Sequence, residues 1–208
     1  MKKEKGIRLQ NFIIKNNMTI KIFDICRKGT HVLGPGNRYI IWVQGCKQYC
    51  PYCITPESWA LDKGIDLESE DIAADIVLTK GIDGITISGG EPFLQAEALA
   101  SLLKKVKLHR PEITVIIYTG YSYSELKTIK GAKDLIESSD IIIDGKYIDS
   151  LNDNKGIKGS INQKIISISN RLDAYIPEME SGIRKQQYIV NSDGTYSSIG
   201  VPLKNQNH

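Results

Sequence analysis

Four short runs of the chain are apolar through their centres: 39–44 (YIIWVQ), 84–88 (GITIS), 113–118 (ITVIIY) and 140–144 (DIIID). Runs of that length, rich in β-branched and aromatic residues, fit strands buried on both faces. Between them the apolar spacing becomes helical. Ile72, Ile76 and Val77 share one face of a helix that Asp66 or Ser69 can cap and that runs through Lys80. Leu94, Ala98, Leu102 and Val106 form the stripe of a second helix over 93–107, and residues 122–129 form a third. Alternation over 18–25, with Ile20, Ile22, Phe23 and Ile25, gives a first strand, and 163–168 gives the last strand of the main unit. All-apolar strands separated by amphipathic helices predict βαβ units, a parallel sheet covered by helices and right-handed crossovers, so the fold class is α/β.

Punctuation refines this outline. Gly34-Pro35-Gly36 is a turn between the first two strands, and 145–159 is a long polar loop rich in Gly, Asn and Asp. Residues 186–190 and 195–201 read as a hairpin turning at Asp193-Gly194. The chain has 208 residues, 41% hydrophobic and 25% charged, which fits one globular domain and excludes collagen-like, coiled-coil and disordered classes. Residues 1–20 lack the apolar core of a signal peptide and no run reaches membrane-span length, so the expected address is the cytoplasm. Residues 1–38 carry nine Lys or Arg against two acidic residues. The leader lacks the interleaved aromatics of a stacking surface, so Lys2, Lys3, Lys5, Arg8 and Lys15 read as a solvated tail rather than a nucleic-acid contact.

The chemistry concentrates in Cys46-Lys-Gln-Tyr-Cys50-Pro-Tyr-Cys53, directly after a buried strand. Three clustered thiols in a reducing compartment suit zinc or an iron–sulfur cluster. A structural zinc site wants four ligands, and Cys26 or His31 can supply the fourth. An isolated cysteine near a strand end is otherwise an inert buried residue. With only three thiolates, a cubane keeps one iron open to a substrate. The second feature is Ser88-Gly89-Gly90-Glu91-Pro92, after another strand, at the carboxyl end where α/β folds place their ligands. Its glycines admit a ligand close to the backbone, Glu91 offers a carboxylate to a cationic amine, and Pro92 stiffens the exit; alone, the segment is a weak signal, because a Gly-Gly after a strand is more often just a turn.

Together, the CxxxCxxC pattern and the following GGEP resemble the radical S-adenosylmethionine (SAM) superfamily. Gly34-Pro35-Gly36-Asn37-Arg38, Val43-Gln44-Gly45-Cys46, Pro56-Glu57-Ser58-Trp59, Thr119-Gly120-Tyr121, Asp144-Gly145-Lys146 and Gly159-Ser160-Ile161-Asn162-Gln163 narrow the likeness to the small glycyl-radical activases. The resemblance covers about residues 19–170 and implies an incomplete (β/α)6 TIM-like barrel with a parallel sheet, followed by a small C-terminal β appendage. It divides the chain into a basic leader (1–17), a core (18–170) and an extension (171–208). It implies one [4Fe–4S] cluster on Cys46, Cys50 and Cys53, with SAM chelated to the fourth iron. Tyr52, Cys53 and Ile54 would lie by the adenine, Gly89, Gly90 and Glu91 at the methionyl amine, and Asp144 and Lys146 beside the ribose or carboxylate.

The implied reaction is reductive SAM cleavage that leaves a glycyl radical on a large partner, anaerobic ribonucleoside-triphosphate reductase first among candidates. A low-potential donor such as flavodoxin or ferredoxin would supply the electron. Binding SAM on the cluster puts the electron donor against the bond to be broken. Arg38, Tyr118–Tyr121 and Gly159–Gln163 read equally well as structural residues, Arg38 as a surface charge. The leader and the extension depart from the resemblance and leave the substrate open, because an activase docks its partner over an open barrel. Two alternatives stand beside this reading: a radical SAM enzyme acting on another protein, peptide or small molecule, and a non-catalytic zinc or iron–sulfur interaction module.

Overall fold

The computed structural model describes residues 18–190 and 193–204. The basic leader, and Asn191-Ser192 next to the hairpin turn, lie outside the described residues. The strands are β1 (Thr19–Thr30), β2 (Arg38–Val43), β3 (Ile65–Glu68), β4 (Gly84–Gly89), β5 (Thr114–Tyr118), β6 (Ile141–Asp144), β7 (Lys164–Ser167), β8 (Gln187–Val190) and β9 (Tyr196–Ile199). The helices are α1 (Ser69–Leu78), α2 (Ala96–His109), α3 (Tyr123–Leu126), α4 (Ala132–Glu137) and α5 (Ile176–Ser181). One seven-stranded sheet runs β3-β1-β2-β4-β5-β6-β7, and β8 and β9 form a separate hairpin. β2, β4, β5 and β6 are mutually parallel.

The sheet corrects the expected six βα units. β1 pairs antiparallel with β2, β3 antiparallel with β1, and β7 antiparallel with β6, and the sheet is open. The reason lies in the connections. Only residues 31–37 join β1 to β2, too few for a parallel crossover, which needs a dozen or more. β6 reaches β7 through the polar loop without a crossing α-helix.

Alternation along the strands explains why they read as continuously apolar. Tyr39, Ile41 and Val43 of β2, Ile85 and Ile87 of β4, and Val115 and Ile117 of β5 face the helices with Leu99, Leu102, Leu103 and Val106 of α2. Ile116, Ile141 and Ile143 face the other way, against Leu172 and Met179, and Ile40 meets Cys26, Leu33 and Ile199. This inner face is therefore covered by residues C-terminal to β7. Arg184 fastens that segment: its guanidinium donates to Asn152 Oδ1 (2.7 Å), Lys155 O (2.8 Å), Lys158 O (2.5 Å), Gly156 O (3.3 Å) and Pro202 O (3.2 Å).

Several local readings change. Asp66 caps nothing; it sits in β3 and pairs with Lys21 (2.9 Å), while α1 starts after Glu68, which makes no side-chain cap bond. Leu94 belongs to a 3-10 turn, 92–95, and stays 38% exposed, because Pro92 and the Glu91 side-chain cap start the helix differently. The helix expected over 122–129 is a single turn closed by a Ser122–Glu125 capping box. β-Branched Thr128 and Ile129, then Gly131, interrupt it before α4. Arg38 is not a surface charge. It is fully buried and donates to Thr86 Oγ1 (2.7 Å), Ile85 O (2.6 Å) and Thr114 Oγ1 (3.0 Å), and burial pulls it down to about 10. None of the helices among the described residues is long and apolar enough to cross a membrane.

Candidate active site

The loop between β2 and β3 carries the cysteines and is pinned at its base. Gly45 N donates to Ser58 O (2.8 Å), Cys46 N to Trp59 O (3.0 Å), and the Gln44 side chain to Glu57 O (3.0 Å) and Ala60 O (2.8 Å). Tyr49 packs edge-on against Trp59 at 5.4 Å. Tyr49 and Tyr52 hold the left-handed region at φ 47° and 60°, conformations that non-glycine residues adopt at a cost and that bend this loop around the thiols. Cys53 N donates to Cys50 O (3.1 Å) and Gln48 N to Cys46 Sγ (3.4 Å). Burial pushes the Cys46 and Cys50 thiols up, and the Lys146 ammonium pulls Cys50 partly back.

The glycine turn after β4 is bonded directly to this loop. Gly90 N donates to Val43 O (2.7 Å) and Glu91 N to Gly45 O (2.8 Å). Glycine is required here: a Cβ on Gly89 would stand 2.5 Å from Val43 N, and one on Gly90 2.3 Å from Gly45 O. Glu91 is 1% exposed. Its Oε1 accepts from Phe93 N (3.0 Å) and Thr119 Oγ1 (2.8 Å), and its Oε2 from Gly120 N (2.8 Å). Burial pushes the carboxyl up to about 7 against these three donors. A carboxylate has about four lone-pair sites, so Oε2 keeps one acceptor position.

Cys46, Cys50, Cys53, Ile54, Gly89, Gly90 and Glu91 line one cavity of about 560 Å³, within the range of small-molecule sites. Three other expected residues sit differently. Tyr52 is 68% exposed and its ring is not part of the cavity wall. Asp144 spends both oxygens on the backbone, accepting from Tyr123 N (2.7 Å) and Lys164 N (3.2 Å), so it fixes α3 and β7 to the end of β6. Lys146 is exposed beside the wall. Cys26 lines the same cavity, with its thiol toward Gly29 O (3.8 Å), while His31 is exposed. Among the described residues no three His, Cys, Asp or Glu side chains gather to hold a single metal ion. A cubane spreads its thiolates farther apart than one ion does, and three soft thiols beside a cavity fit that larger group. A buried carboxyl with a spare acceptor fits a cationic amine.

Sequence reading did not place Trp42, Tyr147 and residues 197–202 on the cavity wall. Trp42 was accessible to it, since it alternates with helix-facing Ile41 and Val43. The C-terminal wall had no local signal, because its approach is a long-range packing event.

Residues 32–166 match the family model described as a 4Fe-4S single cluster domain. The chain is 31% identical over 140 residues, 65% of itself and 87% of the relative, to the anaerobic ribonucleoside-triphosphate reductase-activating protein of Enterobacteria phage T4. It is 35% identical over 142 residues, 64% of itself and 90% of the relative, to the protein of the same name from Vibrio cholerae serotype O1. It is 33% identical over 124 residues to the pyruvate formate-lyase-activating enzyme of Clostridium pasteurianum, 56% of this chain and 48% of that one. The crystal structure of QueE from Escherichia coli overlaps 62% of this chain and 72% of its own at TM-score 0.41 and 16% identity.

Proposed function

Because this chain belongs to the family of 4Fe-4S single cluster domains, we propose that it is a radical SAM activating enzyme. It cleaves SAM reductively and installs a glycyl radical on a large partner, anaerobic ribonucleoside-triphosphate reductase. The observation that carries this reading is the backbone-bonded pair of loops that brings Cys46, Cys50 and Cys53 into one cavity with Gly89, Gly90 and Glu91. The relatives named for that reductase are matched over 87% and 90% of their length. The pyruvate formate-lyase activase is matched over 48% of its length, which makes that partner second.

Cys46, Cys50 and Cys53 would hold the cluster, which with SAM supplies one-electron cleavage of a carbon–sulfur bond and, from it, hydrogen abstraction. The chain's own residues do the rest. Glu91 Oε2 accepts from the amine of the bound ligand, and the bare backbone of Gly89 and Gly90 lets that ligand approach. Cys53, Ile54 and the backbone of Tyr52 form the side toward the adenine. Lys146 offers its ammonium to a carboxylate at the rim, and Asp144 positions the loop that carries Lys146. Leu33, Trp42 and Ile199 keep water from the inner end. The open sheet is an incomplete barrel, with 18–170 as core and 171–208 as extension. The enzyme works in the cytoplasm with a low-potential donor such as flavodoxin or ferredoxin.

The test is the yield of 5′-deoxyadenosine from anaerobically reconstituted, reduced protein with SAM, beside a Cys50→Ala control, followed by the glycyl-radical electron paramagnetic resonance signal on added reductase. Cluster-dependent product and a radical on the reductase are expected. Fully loaded protein that yields neither, with reductase present, overturns the reading.

A further inference from the structure

Residues 23–28 of β1 all line the cavity, without a gap. Strand side chains alternate between faces, so a cavity lying on one face meets every second residue. One that meets them all runs along the strand's edge. The pairing agrees. From Asp24 to Cys26, β1 keeps unbroken register with Trp42, Ile41 and Ile40 of β2 on one edge, while its pairing to β3 on the other edge stops at Ile22. Ile25 N is turned to the neighbouring Asp24 Oδ1 (2.7 Å), a side chain standing where a strand's carbonyl would. The facing wall has the same character: residues 197–202 line the cavity without a gap, and among the described residues β9 pairs with β8 alone. Among the described residues, two strand edges without a pairing partner thus flank the cavity that holds Cys46, Cys50, Cys53 and Glu91.

We propose that this slot takes an extended segment of the partner polypeptide as an added strand between the edges of β1 and β9, delivering its reacting residue to the cysteine loop. The chemistry of the walls selects the occupant. Main-chain donors and acceptors in a row recognise another main chain. The floor between them, Leu33, Trp42 and Ile199, is apolar and suits alternate side chains of a strand. On the β1 wall Arg27 pairs with Asp75 (2.7 Å), and the exposed Lys28 is matched by the exposed Asp24, so the wall carries no net positive charge to favour a phosphate-bearing ligand. Six residues of edge span about 20 Å, enough to fix register. The β9 wall lies outside the matched residues 32–166, so this feature belongs to the chain's own extension. The inference rests on the activating-enzyme reading, which supplies a protein as substrate.

Hydrogen exchange of the cluster-loaded full chain, with and without the catalytic subunit of an anaerobic ribonucleoside-triphosphate reductase, tests the slot. Exchange at 23–28 and 197–201 slowing at least tenfold in the complex, with Ser198→Trp weakening the complex at least tenfold at unchanged iron content, supports it. Ser198 is exposed, so the bulky variant folds. A complex that leaves these amides as fast as before overturns the slot and spares the function. If no complex forms, the reductase reading fails instead, and the slot is judged with unfolded carboxymethylated ribonuclease at high concentration. Because main-chain pairing tolerates sequence, protection by that chain supports the slot and its absence overturns it. Amides already slow in the free chain that speed up when residues 1–17 are removed would make the leader the occupant and overturn a partner strand.

Discussion

Replacing Glu91 with glutamine isolates a carboxyl on the cavity wall that is buried with no basic side chain bonded to it. Burial raises it from an ordinary 4.5 to about 7. The folded protein therefore holds this proton more tightly than the unfolded chain does. Its contribution to stability is complete below pH 4.5, declines as pH rises, and is lost above about 7. At 1.36 kcal/mol per pH unit the whole interval is worth about 3 kcal/mol, of which about 2 kcal/mol falls above pH 5.5. The glutamine does not titrate, but its amide turns a donor toward Gly120 N and costs roughly 1–3 kcal/mol at every pH. Anaerobic urea denaturation of the two cluster-loaded proteins at pH 5.5, 6.5, 7.5 and 8.5, without SAM, reads the difference, in which other titrating groups cancel. The wild-type advantage should shrink by about 2 kcal/mol from pH 5.5 to 8.5. With saturating SAM the shrinkage should vanish, because the ligand's ammonium then stabilises the ionised form. A difference independent of pH in the absence of ligand would refute the argument that Glu91 is a buried acid waiting for a cation.

Other outcomes follow from the same geometry. Cys46→Ala, Cys50→Ala and Cys53→Ala should each lose iron and sulfide on anaerobic reconstitution, whereas Cys26→Ala should keep both; iron loss in the last would make Cys26 a ligand. Gly90→Ala drives a Cβ into the Gly45 carbonyl and should lower the thermal midpoint sharply or prevent folding, since both contacts are backbone. Arg184→Ala takes the guanidinium from four backbone carbonyls, while Asn152 Oδ1 keeps Asn154 N (3.0 Å), and should cost about 3 kcal/mol in denaturation and open 152–158 to proteolysis. Arg184→Lys should rescue little of it, because an ammonium cannot fan out to five oxygens.

The cysteine triplet, the glycine turn and the four parallel strands were legible from local pattern, because each is written in neighbouring residues. The three clustered thiols need only spacing after a strand, which leaves zinc and an iron–sulfur cluster both open until the family resemblance chooses the cluster, and Gly89-Gly90-Glu91 needs only a position at a strand end. Arg38 could not be read this way. Its charge suggests solvent, yet it is buried among Thr86, Thr114 and backbone carbonyls contributed by β4 and β5, far along the chain. Glu91 carries the expectation of a carboxylate for a cationic amine, but its hold on Thr119 and Gly120 appears only once β4 and β5 lie side by side.

The sequence by itself determined the central strands, the first two long helices, the parallel centre of the sheet and the clustering of three soft thiols, since periodicity and residue type act over a few residues. Tertiary structure alone decided that β3 joins the sheet beside β1, that Asp144 bonds to the backbone of Tyr123 and Lys164 at the end of β6, and that the C-terminal hairpin forms one wall of the cavity. Those outcomes depend on which surfaces meet after loop closure, an energy shared among residues separated by many positions and encoded in none of them singly.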